Sequence, residues 1–209
     1  MRAFRRCHDG VACEFEPAEV DLLEGLLRQL IELLMDNCPG VNGPGAHGPA
    51  PDVETEDDIF ARLEHEMAAD GGDYFDDEPS LDPVLQRLFP DPYPHDPVAS
   101  HDFHRFTHTA QMDDKVSAAH LMLTDLRACQ GEGRCAVPRP HTTAWLKSLT
   151  NVRLALSVRL DITDAEDADR LAELPDDDPR NWIYSIYEWL GWVQESLLAA
   201  GEGRLQLAG

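Results

Sequence analysis

The sequence predicts a mainly α-helical fold: a bundle of about five to seven helices with a small peripheral antiparallel β-sheet made of an N-terminal hairpin plus one strand. Three observations predict it. Apolar residues recur every three to four positions over long segments, Val20, Leu23, Leu27, Leu30 and Leu34 being the clearest run. Proline stands at the expected first turn of several helices, at Pro17, Pro83, Pro97 and Pro179, where its missing N–H is no loss. Extended patterns are confined to two short stretches, residues 3–16 and 134–138.

Residues 3–16 read as two strands around His8-Asp9-Gly10, because Asp-Gly between apolar-bearing runs is a hairpin signal. Pro17 then opens a helix that runs to about Asn37, with Glu19 and Asp21 complementing its positive N-terminal end. Leu22, Leu26, Ile31 and Leu33 widen its apolar stripe, which predicts a central position in the bundle. From Cys38 the composition turns to Gly, Pro and Ala, and then to acids. Such a segment buries too little to offset the entropy of ordering itself, so 38–80 is expected to be a flexible acidic insertion within a single helical domain over 1–209.

Inside that acidic part Ile59, Phe60, Leu63 and Met67 mark a short helix, and Val84, Leu85, Leu88 and Phe89 mark another after Asp82-Pro83. Asp96-Pro97 opens a long helix in which Phe103, Phe106, Ala110, Val116, Ala119, Leu123 and Leu126 share a face, ending near Gly131. Residues 134–138 supply the third strand. Thr142 or Thr143 caps a helix through Leu160, and Thr163 to Glu166 fits a capping box before a short one. Asp178-Pro179 opens the last helix, ending at Gly201. In it Trp182, Ile186, Trp189 and Val193 form a core-facing stripe, whereas Trp192 points away and is a candidate partner anchor.

Charge narrows the function. The formal net charge is −23, which repels the phosphate backbone that dominates nucleic-acid affinity, so DNA contact is expected only indirectly or with a partner. Residues 52–96 hold fifteen acids against Arg62 and Arg87, so over half of the excess lies there. The start is the basic exception, and Arg2, Arg5 and Arg6 are candidate partner-binding residues. No signal-peptide pattern opens the chain, and the most apolar stretch, 22–35, carries Glu24, Arg28 and Glu32, so a cytoplasmic protein without a membrane span is expected. Length and 43% hydrophobic content suffice for one core.

Five cysteines in a reducing compartment default to free thiols, so a disulfide here would be a transient, sensing one. Cys7 and Cys13 flank the predicted turn with five residues between them, and Cys129 and Cys135 repeat that spacing. A bridge needs α-carbons within roughly 7 Å, which Cys7 and Cys13 meet only if a three-residue turn makes them cross-strand partners, since a two-residue turn offsets them. Arg6 and His8 beside Cys7, and Arg134 beside Cys135, favour the reactive thiolate, while Asp9 and Glu14 oppose it. Cys7 and Cys13 are thus the first redox candidates and Cys129 and Cys135 the second. The competing readings are buried thiols without redox function and a four-cysteine zinc site, which the spacing fits poorly.

His101, His104 and His108 fall on one helical face, the last two at a spacing of four that suits a metal, but a solvated polar face explains the same letters. No phosphate-binding glycine loop or nucleophile elbow occurs. The reading is a non-enzyme with no cofactor and no assigned catalytic or metal residue.

Three segments carry a resemblance: M-R-A-F-R-R at residues 1–6, L-T-N-V-R-L-A-L-S-V-R-L from Leu149 to Leu160, and W-L-G-W-V-Q-E-S-L-L from Trp189 to Leu198. Together they resemble the actinobacterial AosR-type oxidative-stress transcriptional regulators, a family formerly labelled a domain of unknown function, over most of the chain apart from residues 38–80. The resemblance implies a redox-responsive protein that acts in transcription through an alternative sigma factor of RNA polymerase, with an intramolecular cysteine pair as sensor. Cys7 and Cys13 are the positions it points to. The alternative is a constitutive acidic helical adaptor that docks a basic partner without redox control.

Overall fold

The computed structural model describes residues 1–37, 82–129, 134–175 and 177–202. The expected acidic insertion over 38–80, its short helix at Ile59 to Met67 and Cys38 lie outside the described residues. In chain order the elements are β1 (Arg2–Cys7), β2 (Gly10–Glu14), α1 (Pro17–Asp36), α2 (Pro83–Leu88), α3 (Pro97–Cys129), β3 (Arg134–Pro138), a 3-10 turn (Arg139–His141), α4 (Thr142–Arg159), α5 (Ala165–Ala172) and α6 (Pro179–Glu202). This is a helical bundle with a small antiparallel sheet of order β1-β2-β3, as the pattern predicts.

The hairpin turns one residue earlier than the Asp-Gly signal implies. Cys7 pairs with Gly10, so His8 and Asp9 form a two-residue loop and Gly10 belongs to β2. Gly10 has a different use. A Cβ there would overlap the Val137 carbonyl oxygen and lie 2.8 Å from the Arg139 nitrogen, so only glycine lets β3 approach β2 at this level. The Arg139 N–H in turn donates to the Asp9 carbonyl at 3.0 Å, tying the third strand to the hairpin loop.

Strand alternation sets the faces. Phe4, Val11, Cys13, Phe15, Cys135 and Val137 turn inward and join the core, so the sheet caps one end of the bundle. Phe4 and Phe15 pack around Trp145 of α4, with ring centroids 6.0 and 6.5 Å from the indole. Trp145 is fully buried.

The hub of the bundle is α4, not α1. It packs against α1, α2, α3 and α6 and buries Trp145, Leu149, Val152 and Leu156. Its buried face also carries Ser148 and Ser157, whose hydroxyls donate to the Ala144 and Leu154 carbonyls at 2.9 Å, so small polar residues sit in the core with their donors satisfied. This mixture weakens the apolar stripe in the sequence and explains why α1 reads as the more central helix. In α1 the narrow stripe Val20, Leu23, Leu27, Leu30 and Leu34 is buried, while Leu22, Leu26 and Leu33 are half-exposed.

Two helix starts differ by a residue from the sequence expectation. The 3-10 turn leads directly into α4, leaving His141 at the cap position without a side-chain cap in place of Thr142 or Thr143. The capping box of α5 uses Asp164 and Asp167, with the Asp167 N–H donating to Asp164 Oδ1 at 3.0 Å. On α6 the buried stripe is Ile186, Leu190, Val193 and Leu197, with Trp189 half-buried. Trp182, expected in that stripe, is 67% exposed because it lies in the first turn, before the helix reaches the core.

Candidate functional site

The three described cysteines of the core face meet where the end of α3 reaches the sheet. Cys129 is the last residue of α3 and Cys135 the second of β3, and they form a disulfide with α-carbons 4.8 Å apart. Cys135 is also the direct cross-strand partner of Cys13, so both side chains project from the same sheet face. Cys13 keeps a free thiol. Burial, with the nearby Glu19 carboxylate adding to it, pushes that thiol up to about 12, so it is protonated and a poor nucleophile at neutral pH.

The structure joins Cys129 to Cys135 and leaves Cys7 and Cys13 apart. In the hairpin register Cys7 has the parity of Gly10 and Ala12, whereas Cys13 has the parity of Val11, so the first pair occupies opposite faces of the sheet. Both are free thiols. The two-residue loop removes the cross-strand geometry on which a Cys7–Cys13 bridge depends. The second pair is the bonded one.

A buried polar network continues from the disulfide. Cys129 Sγ lies 2.9 Å from the Asp125 carbonyl oxygen one turn earlier, where a reduced thiol donates a hydrogen bond that the disulfide lacks. The Asp125 carboxylate accepts the Trp145 Nε1–H at 2.8 Å and the His141 Nδ1–H at 3.0 Å. A carboxylate only 9% exposed is tolerated because these donors satisfy it. The network runs from the disulfide to the indole around which Phe4 and Phe15 pack.

The outer face of the sheet is basic. Arg2, Glu14 and Arg134 are cross-strand neighbours, Arg2 pairing with Glu14 at 3.0 Å, and Arg5 lies beside them. These arginines and Arg6 border a cleft of about 180 Å³. Arg6 donates from Nη2 to the Gly201 carbonyl at 3.1 Å, placing a cation at the negative end of α6. Arg134 therefore joins the three arginines singled out in the sequence, one residue from Cys135.

The family described as "Domain of unknown function (DUF2017)" matches residues 1–201. The chain belongs to this DUF2017 family. Among curated relatives, proteins of Mycobacterium bovis and Mycobacterium tuberculosis, each named "Oxidative stress regulator AosR", are 32% identical over 129 residues, covering 56% of this chain and 57% of theirs. A Mycobacterium leprae relative named as such a regulator is 31% identical over 132 residues, covering 57% and 58%. The chain thus spans a little over half the length of the curated relatives it matches. No solved structure matches it.

The remaining sequence candidates of this DUF2017 chain lie elsewhere. His104 and His108 are ring neighbours at 6.4 Å, His108 packs on Phe89 at 4.6 Å, and His101 lies 3.8 Å from the Asp102 carboxylate. His104 and His108 belong to an aromatic patch with Phe89 and Phe103 between the end of α2 and α3. Among the described residues no three His, Cys, Asp or Glu side chains gather to hold a metal, and no helix is long and apolar enough to cross a membrane. Trp192 is 42% exposed on α6.

Asp125, His141 and Trp145 were missed in the sequence. Asp125 did leave a signal, because it falls on the same helical face as Met122 and Cys129, and a lone acid on an apolar stripe needs a partner.

Proposed function

We propose that this chain is a redox-responsive transcriptional regulator of the cytoplasm, acting by contact with an alternative sigma factor or RNA polymerase and not by catalysis. Its sensor is the Cys129–Cys135 pair. The observation that carries this reading is the disulfide joining the end of α3 to β3, in a chain whose curated relatives are named oxidative stress regulators.

The chemistry balances with a peroxide as oxidant. The Cys129 thiolate attacks one peroxide oxygen, which becomes a sulfenic acid as the other leaves as water after protonation. The Cys135 thiol displaces the sulfenic hydroxyl as a second water, and the S–S bond forms. Cys129 is the better first reactant, being 8% exposed against 1% for Cys135. Closing this short loop stabilises by about 2 kcal/mol in the chain-entropy model, enough to reset a local element. That element is β3, whose outer face presents Arg134 to the basic cluster of Arg2, Arg5 and Arg6. Oxidation fixes the cluster's spacing, and the cluster, with Trp192 as an apolar anchor, is the partner-facing surface of this proposal.

Alkylation and peptide mass mapping before and after mild peroxide, alongside pull-down of a sigma factor, tests the reading. The expected result is a Cys129–Cys135 bridge that forms on oxidation, with oxidant-dependent binding that is lost in Cys129→Ser and kept in Cys7→Ser. Binding that responds to salt and ignores oxidant selects the constitutive adaptor instead.

A further inference from the structure

We infer that the open cleft lined by α2, α4, α5 and α6 is a binding site for a small organic oxyanion, held by Arg153 and Arg87. This site is separate from the cysteines and goes beyond the redox reading. The cleft has a volume of about 410 Å³, within the range of small-molecule sites.

Arg153 is the observation that carries the inference. Its guanidinium is fixed on several sides, with no counter-charge among the described residues. It lies over the Tyr187 ring, 4.6 Å from the centroid, and its Nη1 donates to Gln194 Oε1 at 3.3 Å. Gln194 is itself anchored by donating to Thr150 Oγ1 at 2.8 Å. Behind the group stands Gly191, where an added Cβ would come within 3.2 Å of Arg153 Nη2. The glycine makes room for the guanidinium to lie against α6.

All this positioning leaves donors unspent. Arg153 Nε is buried with no hydrogen-bond partner, and among the described residues no carboxylate lies within ion-pair distance of Arg153 or Arg87. A guanidinium whose donors are not all spent suits a carboxylate or phosphate.

The surroundings define the rest of the ligand. The hydroxyls of Thr150 and Ser157 already donate to backbone carbonyls of their own helix, so the arginines are the anion donors. Leu154, Ile162 and Ala168 offer an apolar wall for a ring or short chain. Asp164 lines the rim, exposed, with its Oδ1 engaged by the Asp167 N–H, and it disfavours a ligand whose charge extends to that side. The loop beneath is set by Asp161, at φ 59°, a left-handed residue that closes α4 and is held by the Ile162 N–H donating to the Ser157 carbonyl at 2.8 Å. One compact anionic end and one apolar body describe the ligand class.

Calorimetric titration of the whole chain with phenyl phosphate, benzoate and neutral phenol tests this. Saturable binding of phenyl phosphate or benzoate is expected, the stronger of the two naming the oxyanion, with none for phenol. Arg153→Gln should weaken it about tenfold or more, the loss of a charge-assisted pair. Gly191→Ala keeps every charge and favours the helix, yet should weaken binding by displacing the guanidinium. Arg5→Gln, on the sheet's basic face, should leave the titration unchanged. Absence of saturable binding by either anion, equal binding in Arg153→Gln, or loss in Arg5→Gln overturns the assignment.

Discussion

Two segments of this chain share one spacing and meet opposite fates. Cys7 and Cys13 are separated by a tight hairpin, and Cys129 and Cys135 by the passage from a helix end into a strand. In the hairpin, two-residue-loop pairing forces the cysteines onto opposite sheet faces, so proximity in sequence becomes separation in space. At the helix end no register constrains the pair, and the strand returns Cys135 to within 4.8 Å of Cys129, measured between α-carbons. Sequence spacing alone therefore does not nominate a disulfide; the element between the two cysteines does.

The severest way to break the contrast is Gly10→Ala. The methyl group would meet backbone atoms of Val137 and Arg139, which cannot move aside as a side-chain tip does. Strand β3 must then leave β2, removing Cys135 from its place beside Cys13. The expected cost is about 3 kcal/mol, at the upper end for an overpacked site. Urea unfolding measures it, and amide exchange should show protection lost in β2 and β3 while α4 keeps most of its own.

A milder change separates the pairs by chemistry. In Cys129→Ser the hydroxyl can donate to the Asp125 carbonyl that lies 2.9 Å from the sulfur, so the reduced protein should change little. The oxidised protein should lose the bridge and with it about 2 kcal/mol. Cys7→Ser, at a half-exposed thiol on the outer face, should shift both states by less than about 0.5 kcal/mol. Unfolding midpoints with and without reductant give the four numbers, and a redox-dependent loss in Cys7→Ser would overturn the contrast.

The legible part of the fold is the part governed by local rules. Proline at the first turn places the starts of α1, α2, α3 and α6, and the third strand spans residues 134–138 as expected. What eludes the sequence depends on pairing at a distance. The rank of α4 as hub is hidden because Ser148 and Ser157 interrupt its stripe, and small residues are buried there only because neighbouring helices approach closely. The candidate site follows the same division: all four of its cysteines could be named, but not which two are bonded, because a one-residue difference in loop length inverts the face of Cys7. The parts played by Trp145 and Arg153 are visible only once α3, α4 and α6 are packed, whereas Asp125 shows in the sequence as a lone acid on an apolar stripe.

Cys13 offers the finest test, since it shares the sheet face of Cys135 yet stays out of the Cys129–Cys135 bond. Its thiol ionises at about 12 in the folded protein against an ordinary value of 9.0, chiefly because the charged form would be desolvated. Below pH 9 both folded and unfolded chains hold the proton, and the full stability is present. Between pH 9 and about 12 the unfolded chain releases it and the folded chain does not, so stability falls as pH rises. By pH 10 this thiol should cost about 1 kcal/mol, a loss absent from Cys13→Ala. The same protonation keeps Cys13 from attacking the neighbouring disulfide at neutral pH, although Cys135 is its direct partner across the sheet. Alkaline unfolding of the two proteins, with peptide mapping of the bridge at pH 7 and pH 10, addresses both points. A Cys13–Cys135 bond that accumulates at neutral pH would mean that the three cysteines form one exchanging set, and that burial does not insulate the Cys129–Cys135 bond from its neighbour.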